Sequence, residues 1–152
     1  MADRTSVVLT ILAEHLDEVK VMFEYQPNGE DFISINGVKC VQLMFDEINY
    51  GTLKELPKLK AAGISYDSNW DDGDGYSEGG EYCRFTEEGE VVIKTIYGMD
   101  ENTIPLHTLF ENIADHAALR GLILAHKEAL SFLPFDSQAD YGKRYKTKQL
   151  LS

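Results

Sequence analysis

Residues 31–48, DFISINGVKCVQLMFDEI, decide the fold. Asp31 to Ile35 alternates in the period of a strand, and Asn36-Gly37 is the strongest short hairpin signal in the chain. Val38 to Ile48 then supplies a returning strand. A hairpin at this place commits the chain to an antiparallel sheet, and the flanking segments can be read against it.

Upstream, Ser6 to Leu12 is rich in β-branched residues and reads as a buried strand. From Glu14 to Tyr25, Leu16, Val19, Met22 and Phe23 recur at three- and four-residue steps, which places them on one helical face; Pro27-Asn28-Gly29 ends that helix. Downstream, Tyr50-Gly51 closes the hairpin strand. Thr52 is the expected cap of a helix carrying Leu53, Leu56, Leu59 and Ala62, with Gly63 as its stop and Pro57 tolerable only if it falls in the first turn. Ile64 to Tyr66 begins another strand and Asp67 to Gly80 is a Gly/Asp-rich stretch. Glu81 to Thr86 and Glu90 to Tyr97, joined at Glu87-Glu88-Gly89, form a second hairpin.

After Ile104 the period turns helical. Leu106, Leu109, Phe110, Ile113 and Ala117 form an apolar stripe that continues through Leu122, Ile123, Leu130 and Leu133, divided into two helices near Asp115. The stripe reads as core or, in part, as a seam for a homodimer. Pro134 ends the packed region, so residues 1–134 are expected to form one α+β domain. Residues 135–152, with Lys143, Arg144, Lys146 and Lys148, read as a mobile basic tail. The order of elements predicts an antiparallel sheet with helices on one face, in a ferredoxin-like split β-α-β arrangement, followed by C-terminal helices. Such a topology hosts many activities and assigns none.

The 152 residues hold 14 bases and 26 acids, a net charge of −12. Direct binding to nucleic acid or to an anionic membrane is therefore disfavoured. Two cysteines, Cys40 and Cys83, are too few for a zinc site or a disulfide scaffold and are expected to be buried and reduced. The apolar run Val7 to Leu12 is too short for a membrane span and no cleavage site follows it, so a cytoplasmic protein is expected.

The charge is concentrated. Residues 67–90 hold nine acids and one base, interleaved with Tyr66, Trp70, Tyr76 and Tyr82. One reading is calcium capture, since Asp67, Asn69, Asp71 and Glu78 occupy positions one, three, five and twelve of an EF-hand loop; the glycine required at position six comes one residue late, at Gly73. A second reading makes Asp67, Trp70, Asp71, Asp72, Asp74, Tyr76, Glu78 and Glu81 a surface for a basic protein partner. Its carboxylates would imitate the phosphate row of DNA or RNA and its aromatics would anchor the contact. A nucleic-acid-binding enzyme or effector, inhibited in the manner of a phage- or plasmid-borne anti-defence protein, is the specific expectation. A plain reading stands beside both: acidic runs are commonly solvated connections, and Gly73, Gly75, Gly79 and Gly80 would let one turn.

Signals for catalysis are weak. His15, His107, His116 and His126 show no metal-ligand spacing, the glycine-rich stretch lacks the lysine of a phosphate loop, and acid pairs such as Asp46/Glu47 and Asp71/Asp72 carry little information in so acidic a chain. The expectation is a small binding protein that is not an enzyme. A small enzyme with an unidentified site is the alternative beside calcium.

Overall fold

The computed structural model describes residues 4–73, 78–97, 104–129 and 133–151. Strand β1 (Arg4–Leu12) leads through one 3-10 turn (Ala13–His15) into helix α1 (Leu16–Met22). The hairpin β2 (Gly29–Ile35) and β3 (Val38–Asn49) follows, then α2 (Leu56–Ala61) and β4 (Tyr66–Trp70). A second hairpin, β5 (Gly79–Phe85) and β6 (Val91–Tyr97), precedes α3 (Leu106–Glu111), α4 (His116–Ala129) and α5 (Gln138–Leu151).

All six strands join one antiparallel sheet in the order β2-β3-β1-β4-β5-β6, so the fold is α+β. Asn36 and Gly37 both adopt positive φ (51° and 83°), the geometry of a two-residue turn whose twist matches the strands it joins. Within the first four strands, β3 and β4 flank β1 and β2 lies outside β3. Strands β5 and β6 extend the sheet on the β4 side.

One sheet face carries the main core. Val7, Leu9 and Ile11 of β1 stand beside Val41, Leu43 and Phe45 of β3, and the layer is closed by Val19 and Phe23 near α1 and by Leu56 and Leu59 of α2. Pro57 lies in the first turn of α2, where it breaks no helical hydrogen bond. The cap position is Glu55 rather than Thr52, with no side-chain capping bond. A smaller cluster of Leu12, Cys40 and Phe135 lies on the opposite face.

Two segments depart from the sequence reading. The described part of the expected mobile tail, 135–151, is ordered against the fold: 138–151 is helix α5, whose Tyr141 and Tyr145 pack on the main core. Gln138, 1% exposed, donates through Nε2 to the carbonyl of Phe85 and accepts the Phe85 amide through Oε1, both at 2.8 Å, as a neighbouring strand would. A Cβ on Gly142 would stand 1.8 Å from the Gly63 carbonyl oxygen, so backbone meets backbone there. The apolar stripe of 106–124, conversely, is not core, because no described residue of α3 or α4 is buried. Among the described residues, no helix is long and apolar enough to cross a membrane.

Candidate functional site

The nine acids of 67–90 go to different places because a strand sends alternate side chains to opposite faces. Asp67 points to the face away from the main core and forms a 2.7 Å ion pair with Arg84 of β5. Arg84 is 5% exposed. It also donates to the carbonyls of Leu133 (2.7 Å), Tyr66 (3.1 Å) and Cys83 (3.0 Å), and its guanidinium lies 3.9 Å from the centre of the Phe135 ring. Burial raises the Asp67 carboxyl above its ordinary value, and the Arg84 hydrogen bond and charge only partly oppose it. Asn69, on the same face, accepts a 2.7 Å hydrogen bond from the Tyr82 hydroxyl.

Glu81 faces the other way and accepts a short hydrogen bond from the Tyr66 phenol, whose pKa burial and this carboxylate push upward. The pair borders a cleft of about 330 Å³ lined by Leu53, Pro57, Lys60 and Ile93 among others. Glu87, Glu88 and Glu90 are exposed at the far end of the sheet, where the β5–β6 turn meets α5 at Gly89. There Arg144 donates to the Glu87 carbonyl at 2.6 Å and Lys148 pairs with Glu90 at 2.9 Å.

Of the acids expected in the binding surface, Asp71, Asp72 and Glu78 are open to solvent at the end of the sheet where β4 leads to β5, as Glu87, Glu88 and Glu90 are at the other. The backbone of Asp71 and Asp72 is held. The Asp71 amide donates to the Ser6 carbonyl at 3.2 Å, and the Thr5 hydroxyl donates to the carbonyls of Asp71 and Asp72. Asp46 and Glu47, at the end of β3, reach the same edge. The Ser6 hydroxyl donates to Asp46 at 3.0 Å and Arg4 pairs with Glu47 at 3.4 Å. Exposed carboxylates thus come from β3, the β4–β5 connection and the start of β5. With β1 and β4 between, they span three strand spacings, about 14 Å.

Trp70 fixes this end of the sheet. Its ring is half-buried against the main core, 6.0 Å from the ring of Tyr97. A Cβ on Gly51 would stand 2.5 Å from the Trp70 Cβ, and one on Gly79 would stand 2.6 Å from its ring, so two glycines form the slot that admits the indole. Tyr50, beside Gly51, and Tyr97 are exposed. Asp74 and Tyr76, expected in the same surface, lie outside the described residues.

Of the four residues expected to bind calcium, Asp67 and Asn69 lie within β4 and are engaged by Arg84 and Tyr82, while Asp71 and Glu78 flank the connection. Among the described residues, no group of three or more histidines, cysteines, aspartates or glutamates is arranged to hold a metal ion. Both cysteines are buried and free. Burial raises the Cys40 thiol and pushes Cys83 up to about 12, a shift that favours the protonated thiol.

Sequence reasoning missed Arg84, which organises the face opposite the core. Its signal was present, as the single base in a window of nine acids. It also missed that Asp46 and Glu47 join the exposed acids, because that depends on β3 and β4 flanking β1. Comparison with known proteins gives no match: no family model, no curated protein and no solved structure matches the chain.

Proposed function

We propose that the protein works by binding a basic partner protein through the acidic, aromatic end of its sheet. In the specific form of this reading it occupies the Lys/Arg-lined groove of a nucleic-acid-binding protein in place of nucleic acid. One observation carries the reading: Asp46, Glu47, Asp71, Asp72 and Glu78 are all solvent-exposed at one end of one sheet, beside Tyr50 and Tyr97. Over the 14 Å or so that they span, one DNA strand presents about four phosphates. The charge row therefore has the density of the ligand it would replace. Aromatics beside it supply rigid contact area of the kind that anchors interfaces.

The remaining acids support this by their absence from the surface row. Asp67 and Glu81 are engaged internally, and Glu87, Glu88 and Glu90 lie at the opposite end of the sheet, where Lys148 pairs with Glu90. A charged contact of this kind steers association and weakens as salt screens it.

The test is capture from a cell lysate on the immobilised protein, run beside the Asp71→Asn/Asp72→Asn/Glu78→Gln variant. The reading expects a basic nucleic-acid-binding protein on the unmodified chain, lost from the variant and released as salt rises. Retention that is indifferent to both would refute it.

A further inference from the structure

Helices α3 and α4 carry an apolar surface that the rest of the chain does not cover. Leu106, Phe110, Ile123 and Leu124 of the helices and Ile113 of the turn between them are each between 47% and 68% exposed, and no described residue of either helix is buried. Leu106, Phe110 and Ile113 follow one another at four- and three-residue steps, so they form one stripe. Together the five side chains expose on the order of 500 Å² per copy, in the upper part of the range for the largest patch of an ordinary monomer and more than half of the roughly 800 Å² per partner of a standard interface.

Charge selects the occupant. Residues 104–129 hold three acids (Glu111, Asp115, Glu128) and two bases (Arg120, Lys127), so this segment is nearly neutral in a chain of net charge −12. A basic partner gains little here and much at the acidic end of the sheet. A second copy of the chain, by contrast, is repelled at the acidic end and can approach only where the charge is low. The order of the charges fits a two-fold contact as well. Glu111 and Asp115 precede Arg120 and Lys127, and all four are exposed. Two copies packed antiparallel therefore set the acids of one against the bases of the other, in both directions at once.

We infer that α3 and α4 form the interface of an antiparallel homodimer of this protein. The inference rests on the helices alone and is independent of the partner proposed for the acidic end. It also carries the opposite salt dependence. Two copies of charge −12 repel strongly when the screening length is about 30 Å, at 0.01 M salt, and weakly when it is about 8 Å, at 0.15 M. The dimer is therefore expected to tighten about tenfold or more over that range, whereas the acidic contact weakens.

Sedimentation equilibrium of the full chain across this salt range tests the inference, with Phe110→Glu, Ile123→Glu, Glu111→Arg, Arg120→Glu and the Glu111→Arg/Arg120→Glu double variant. All positions are exposed, and the circular dichroism melt of each variant reports whether the fold is kept. The expected result is a dimer that each single substitution weakens at least tenfold and that the double charge exchange restores. A monomer at every concentration and salt, a dimer indifferent to Phe110→Glu and Ile123→Glu, or a charge exchange that restores nothing would overturn it.

Discussion

Arg84 shows how much one side chain can organise. It neutralises Asp67, holds three backbone carbonyls and stacks on Phe135, all while nearly buried. Replacing it leaves a buried carboxylate unpaired and removes the tie to Leu133. Arg84→Met is therefore expected to cost about 3–5 kcal/mol in urea unfolding, and adding Asp67→Asn should recover part of that loss. A double variant no more stable than Arg84→Met would show that the ion pair is incidental to the carbonyl contacts. His15 gives a second residue-scale prediction. Its Nδ1 is buried without a hydrogen-bond partner, and burial lowers its pKa below 6.5, with Lys143 and Lys146 lowering it further and Glu14 and Glu18 opposing. The folded state thus takes up this proton later than the unfolded chain. The stabilisation is complete above about pH 6.5 and is lost as pH falls toward the lowered value. Asp67 has the opposite sign: its raised pKa makes the folded state bind a proton first, so acidification from that pKa down to 3.8 favours folding through this group. Thermal melts between pH 7.5 and 5.5 should show a smaller drop in His15→Gln than in the unmodified protein, and an equal drop would reject the assignment.

At the scale of elements, α5 and the α3–α4 pair went opposite ways, and the reason is physical. Helix α5 is anchored by a glutamine amide that completes a strand edge, by a glycine that permits backbone contact, and by two tyrosines. None of these makes an apolar stripe, so periodicity had nothing to detect. Gly142→Ala tests the contact. Its methyl would overlap the Gly63 carbonyl, and a loss of about 2–3 kcal/mol is expected, read as a lower urea midpoint. An unchanged midpoint would mean that α5 shifts freely. The α3–α4 stripe was legible as amphipathic, but periodicity reports only that a face is apolar, not what covers it. The two hairpins and the break near Asp115 were legible because turn chemistry and capping are local; the Asp115 carboxylate accepts the Ala118 amide at 3.0 Å. The length of β4 was not, since its residues 67–70 resemble a polar loop until β1 and β5 pair with them on either side.

For the whole molecule, the distribution of charge matters more than its total. The acidic window was visible in the sequence as nine residues in a row of 24. Which of them gather at the exposed end was not visible, because strand parity turns Asp67 and Glu81 to internal partners and the β5–β6 turn carries Glu87, Glu88 and Glu90 to the opposite end of the sheet. The exposed remainder costs little to remove. Asp71→Asn/Asp72→Asn/Glu78→Gln should keep the melting temperature within the range of ordinary surface substitutions, about 0.5 kcal/mol each, while losing the partner. A large loss of stability would instead give these acids a structural role. The most direct test of the central claim is competition. A protein captured by the acidic end is titrated with duplex DNA and with structured RNA while its retention is followed. The account predicts that one of these nucleic acids displaces the captured protein, because both occupy the same basic groove. A captured protein that holds nucleic acid and this chain together would contradict it.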